Sequence, residues 1–183
     1  MNRKRVAIGL VLGFVMAVTI GRAEALKIPY NGTYSGSFLD NNTQIDTNGD
    51  GVKATSFTYA ANTNLGRVTG QAVFETSSLP APVTCPEGNL EYTVALDLPV
   101  ERFPNGDLLF YETPALTLCF DPNTGTFSIS YTTTIIGGTG KFAGATGSIE
   151  GNSPGGYLFY DPVSGQGFGY FTGEFTGTII TPD

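Results

Sequence analysis

Histidine and tryptophan are absent from the 183 residues. Without histidine there is no Ser-His-Asp triad, no Cys-His nucleophile pair and no His-ligated zinc site. Acid–base chemistry, if there is any, falls to carboxylates or tyrosines. Basic residues are scarce as well: nine Lys and Arg stand against 16 Asp and Glu, a formal net charge of −7. So acidic a chain is repelled by nucleic acid and by anionic lipid, which argues against both as partners. Cysteine is limited to Cys85 and Cys119. In an oxidising compartment two cysteines and no third suggest one disulfide; a reactive thiol or a metal-binding pair are the alternatives. No long apolar run occurs after Ile20.

The compartment is indicated by the first 25 residues. Arg3, Lys4 and Arg5 make a basic start, Val6 to Ile20 are apolar, and "AEA" at 23–25 has the small-x-small form of a cleavage site. This is the layout of a secretory leader, and its apolar core is too short to span a bilayer comfortably. No cysteine follows the cleavage site, so a lipid anchor is not indicated. The expectation is a leader over 1–25 and a single domain over 26–183 in a secreted, periplasmic or extracellular protein. Loss of the leader removes four basic residues and one acidic one, leaving a net charge of −10.

Glycine, threonine, phenylalanine and tyrosine are what the domain does contain, and they alternate with period two. In "TFSISYTTTII" (126–136), Phe127, Ile129, Tyr131, Thr133 and Ile135 share one face. "EYTVALDL" (91–98) places Tyr92, Val94, Leu96 and Leu98 together. Half-buried strands read this way. Similar runs lie near 30–39, 52–60, 66–76, 107–113, 115–120, 141–150 and 168–180, about nine candidates in all. "FDPNTGTF" (120–127) and "YDPVSGQGF" (160–168) each put Asp-Pro before a glycine and an aromatic, and both read as hairpin turns. The pattern predicts an all-β barrel or sandwich.

"IIGGTGKFAGATGSIEGN" (135–152) is the densest glycine stretch. It fails as a phosphate loop, because Gly140-Lys141 is followed by Phe142 rather than Ser or Thr, and its glycines do not fit G-x-G-x-x-G. It reads instead as a turn at "GGTG" followed by a new strand from Lys141 to Glu150, bent at Gly144, Ala145 and Gly147. This segment resembles the matching one in dirigent proteins and plant allene oxide cyclases, where a Gly-Gly-Thr/Ser-Gly turn, an aromatic and a Gly-Ala-x-Gly stretch recur. Secreted bacterial proteins of unassigned function look similar, also over "DTNGDG" and "LGRVTG". The resemblance implies an eight-stranded antiparallel up-and-down β-barrel with a hydrophobic central cavity; the strand count allows a ninth. It implies no site residue here.

Candidate chemistry is sparse. Glu112 and Glu75 stand among aromatic and apolar residues, and a carboxylate inside an apolar barrel would have a raised pKa. The plainer expectation places both at strand ends in solvent. In "DTNGDG" (46–51), Asp46, Asn48 and Asp50 have the first three ligand positions of a calcium loop, but the twelfth position is Phe57 and not glutamate. A weak calcium site and a solvated hairpin loop both fit. Inward-facing candidates are Tyr92, Val94 and Leu96; Leu108, Phe110, Leu116 and Leu118; Phe127, Ile129 and Tyr131; and Phe171 and Phe175, although alternation does not say which face is inside. The leading functional expectation is a non-enzymatic barrel binding a small apolar molecule or a partner surface. The alternatives are a cyclase or isomerase acting on a hydrophobic intermediate in the cavity, a structural or interaction protein, and a small outer-membrane barrel.

Overall fold

The computed structural model describes residues 24–40, 43–47, 49, 51, 53–78, 84–161 and 163–182. The expected leader lies outside them except for Glu24 and Ala25, as do Asn48 and Asp50 of the expected calcium loop. Nine strands follow in order: β1 (Leu26–Asp40), β2 (Thr55–Thr63), β3 (Gly66–Ser78), β4 (Leu90–Asp97), β5 (Val100–Arg102), β6 (Leu108–Asp121), β7 (Thr126–Gly138), β8 (Thr146–Asp161) and β9 (Gln166–Thr181). All pairings are antiparallel. They run β1–β2–β3–β4–β6–β7–β8–β9 and return to β1, a closed barrel-like ring of eight strands.

The ninth strand is a consequence of one proline. β4 and β5 both lie between β3 and β6 and share one register: Phe74 faces Asp97, and Gln71 faces Val100. They are a single strand broken at Leu98–Pro99, where proline has no N–H to give the ladder. The Pro99 carbonyl still accepts the Tyr111 amide at 3.1 Å, so the two pieces stay in line.

Glycine makes the ring's inner face possible. Gly36 lies across the ladder from Phe171, Gly32 from Phe175, Gly173 from Tyr34, and Gly169 from Phe38. Gly70 likewise faces Tyr59, and Gly151 faces Tyr131. In each case the aromatic ring reaches over the glycine: a Cβ added at Gly70 would fall 2.0 Å from the Tyr59 ring, and one at Gly36 2.4 Å from the Phe171 ring. The large ring of one strand fills the space left by the missing side chain of the next, and these pairs let about a dozen aromatics share one small interior.

One end of the ring is packed shut. Tyr30, Val68, Phe103, Leu109, Ile135, Phe142 and Ile179 form a buried cluster there. Phe142 comes from a 3₁₀ turn, Gly140–Phe142, and its ring meets Phe103 at 4.5 Å between centroids. The expectation of a strand from Lys141 is corrected here: Gly140 and Gly144 take positive φ, 56° and 71°, so the chain coils to drive Phe142 inward and β8 starts only at Thr146. The expected strands 107–113 and 115–120 are one strand, β6, with an irregularity between Glu112 and Ala115.

That irregularity changes which side chains face inward. Before it, Leu109 and Tyr111 are buried inside; after it, buried Leu116 and half-buried Leu118 and Phe120 face the interior. Leu108 and Phe110, expected on the same face as Leu116, therefore point outward. Leu96 is corrected for a similar reason. A second irregularity at Glu75/Thr76 sets Leu96 opposite the outward-facing Glu75, while Asp97 turns inward. Tyr92, Phe127, Ile129, Tyr131, Phe171 and Phe175 line the interior as expected, and Val94 lies across from Thr76, which also lines it.

The two Asp-Pro turns have one construction. In each, the first Asp caps the turn: Asp121 accepts the Asn123 amide and the Thr124 hydroxyl, and Asp161 accepts the Val163 amide and the Ser164 hydroxyl. Gly125 and Gly165 close them with φ of 69° and 68°. Both turns stand at the open end of the ring.

Candidate functional site

The open half of the ring encloses a cavity of about 540 Å³. Its walls are aromatic. Phe57 and Phe171 meet edge to face at 5.7 Å, Tyr34 and Phe171 at 6.0 Å, and Phe38 and Tyr157 at 5.1 Å. A larger concavity of about 990 Å³ lies on the outer surface, but its side chains are mainly exposed Thr, Ser, Asn and Glu, with no apolar enclosure for a ligand.

Three carboxylates project into this apolar space at three depths. Glu101, on β5, forms the floor. It is 2% exposed, and its oxygens accept hydrogen bonds from three tyrosines: Tyr30 at 2.6 Å, Tyr59 at 3.0 Å, and Tyr111. Burial pushes its pKa up, while the three tyrosine hydrogen bonds pull it down. The same burial, reinforced by the Glu101 charge, raises Tyr30, Tyr59 and Tyr111, which remain hydroxyl donors. Asp40, at the end of β1 near the mouth, accepts Thr55 Oγ1 at 2.7 Å and the Tyr157 hydroxyl. Its pKa is raised by burial against those two bonds.

Asp97 is the third and differs from the others. It is 8% exposed, and one oxygen accepts Thr113 Oγ1 at 2.6 Å, a hydroxyl that also meets Thr133 at 3.0 Å. Its other oxygen, Oδ1, is buried with no hydrogen-bond partner among the described residues. Burial pushes the Asp97 pKa up to about 7, with only the Thr113 bond opposing it. A buried acceptor left unmatched is costly, and in a cavity wall it is a free acceptor position for a donor that enters.

Asp97 and Glu101 were not candidates on sequence grounds, and Asp40 was one only as a ligand that a loose calcium site at 46–51 could borrow from the end of the preceding strand. Alternation over 91–98 sets Asp97 on the face opposite Tyr92, Val94 and Leu96, and Glu101 lies beyond the strand so read; the period-two spacing of Asp97, Pro99, Glu101 and Phe103 is the one signal of a common face. The carboxylates that did stand out lie elsewhere. Glu112 is exposed, as the plainer expectation had it. Glu75 is not: it is 2% exposed on the outer side of β3, where its carboxylate accepts the Thr47 amide at 2.9 Å and the Thr47 hydroxyl at 2.9 Å. The segment after β1 folds down over it.

Asp46, the described member of the expected calcium ligands, is committed to its own turn. Its oxygens accept the Gly49 amide at 2.8 Å, the Gly51 amide at 3.2 Å and Lys53 Nζ at 3.2 Å. Desolvation raises its pKa, but the Lys53 and backbone bonds outweigh that and hold the carboxyl below its ordinary value. Among the described residues no group of three or more His, Cys, Asp or Glu is placed to hold a metal ion.

Cys85 and Cys119 are bonded, with their Cα atoms 5.5 Å apart. The bond lies on the outer face beside Glu91, which pairs with Cys119 in the β4–β6 ladder. Glu91 is 5% exposed and is capped by the Thr84 amide, the Thr84 hydroxyl and the Cys85 amide.

No protein-family model matches this chain, and no curated protein matches it. Among solved structures, a pterocarpan synthase dirigent protein is similar at 15% identity with a TM-score of 0.31, over 95% of this chain and 96% of that one. The eight-stranded ring stands on its own strand pairing and not on that distant likeness.

Proposed function

We propose that this protein is an exported binding protein that holds a small, predominantly apolar molecule in the open half of its ring. The observation that carries this reading is the 540 Å³ aromatic cavity with the unmatched Asp97 oxygen in its wall. Ligand sites have this make-up: a mainly apolar enclosure with few polar groups to fix orientation. The leader-like sequence over 1–25 and the Cys85–Cys119 disulfide support export, because such bonds persist in oxidising compartments. The outer face speaks against the outer-membrane alternative. Ser35, Ser37, Ser128, Ser130, Thr172 and Glu174 are exposed there, where a membrane barrel needs an apolar band.

The cyclase or isomerase reading has one observation in its favour. A carboxyl with a pKa raised to about 7 in a mainly aromatic cavity suits a general acid or base. Binding is preferred because among the described residues no second group completes a proton relay: the Glu101 oxygens are held by three tyrosines and the Asp40 oxygens by Thr55 and Tyr157, and those tyrosines are raised well away from neutrality. The test is a thermal-shift screen with small apolar compounds of every head-group charge: neutral phenols and terpenoid alcohols, apolar amines and apolar carboxylates. A ligand at a hundred times its Kd should raise the melting temperature by about 5–10 °C. If no compound raises it, the interior-binding reading is wrong.

A further inference from the structure

We propose that the ligand carries an organic cation, an ammonium group on an apolar body, with the Asp97 carboxylate as its counter-charge. The proposal rests on the interior-binding reading above and names its ligand class.

The charges in the cavity point one way. Asp40, Asp97 and Glu101 all line it, and among the described lining residues the single basic side chain is Lys53. Lys53 is held at the mouth by Asp46, 3.2 Å away. An anionic ligand would therefore meet three carboxyl groups with one already engaged cation to offset them. A neutral hydroxyl would give Asp97 Oδ1 one hydrogen bond. An ammonium gives it that bond and also compensates the charge that burial makes so costly, and charge-assisted bonds are the stronger kind.

The surroundings of Asp97 fit the same group. Phe74 lies directly across the ladder from it. Tyr131 is close enough for its ionisation to be opposed by the Asp97 charge. Ring faces attract cations, most strongly where water is excluded. Glu101 and Asp40 are already satisfied by hydroxyl donors, which leaves Asp97 as the acid with a position to fill. The apolar body of the ligand would lie against Phe57, Phe127 and Phe171.

The experiment compares 4-phenylbutylamine, 4-phenylbutanol and 5-phenylpentanoate by calorimetry on the disulfide-bonded protein at neutral pH. The three share one apolar body and differ in head-group charge. The amine should bind at least about tenfold tighter than the alcohol, with the carboxylate weakest. In Asp97→Asn the amine-to-alcohol ratio should fall towards one. An alcohol that binds wild type as tightly as the amine overturns the cation inference and leaves the interior-binding reading standing. A preference for the amine that survives Asp97→Asn also overturns it, because the cation would then be held elsewhere. If none of the three binds wild type, both the inference and the reading beneath it fail. The comparison in wild type decides the first point even if the variant does not fold.

Discussion

Asp97 sits where an ionised carboxylate has least to stabilise it: buried, hydrogen-bonded through one oxygen only, and flanked by a phenylalanine. Its pKa rises from an ordinary 3.8 to about 7 on folding. Between those values the folded protein holds a proton that the unfolded chain has lost. The stability this proton gives is therefore complete below about pH 4 and is lost as the pH climbs through 7. At about 1.4 kcal/mol per unit, the full loss is on the order of 4 kcal/mol. Glu101 and Asp40, also raised, slope the same way, so wild type alone does not isolate Asp97. The difference between wild type and Asp97→Asn does, since asparagine cannot ionise. The variant should gain on wild type steadily from pH 4 to pH 8 in urea denaturation. A difference that stays flat over that range would show that Asp97 is not the group responsible.

At the scale of strands, the pairing of each ring with a glycine sets the interior's shape. Gly70→Ala would put a methyl within 2.5 Å of the Tyr59 hydroxyl, the group that bonds Glu101. The ring has to move, and the cost should be about 1–3 kcal/mol. Gly156, on β8, is a fitting control: an added Cβ there meets its nearest atom at 3.5 Å, so Gly156→Ala should be nearly neutral. In a Tyr59→Ala background the cost of Gly70→Ala should largely vanish, because the two residues share one slot. Equal losses at positions 70 and 156 would disprove the slot. This arrangement was partly legible in advance. Tyr30, Gly32, Tyr34, Gly36 and Phe38 alternate along β1, and the same pattern on β9 places ring over gap. What period two could not reveal is where it breaks. Leu108 to Tyr111 are apolar on both faces, so nothing in their identity distinguishes Leu108 and Phe110, outside, from Leu109 and Tyr111, inside. One irregular step at 112–115 reverses the parity, and another at 75–76 exchanges Leu96 for Asp97. The central acid of the site came into the cavity through that second step.

The ring as a whole is unevenly closed. β1 and β9 pair over their full length, from Leu26↔Thr181 to Asp40↔Gly167. β4 and β6 pair only from Leu90↔Phe120 to Thr93↔Thr117, because β4 is cut short at Pro99 and β6 is irregular after Glu112. This thin seam lies at the open end, and the Cys85–Cys119 disulfide is fastened across its outer side, where it also holds Thr84 and Cys85 over Glu91. The bond closes a loop of 34 residues in sequence, which in the chain-entropy treatment is worth about 3–4 kcal/mol. Its location says how the loss should be distributed. In the Cys85→Ser/Cys119→Ser variant, amide exchange should quicken first at 90–93 and 117–120 and only weakly along β1 and β9. Ligand affinity should fall with it, since Tyr92, Leu118 and Phe120 at that seam form part of the cavity wall. Uniform loss of protection around the whole ring would mean that the disulfide acts on the unfolded chain alone and that the seam closes without it.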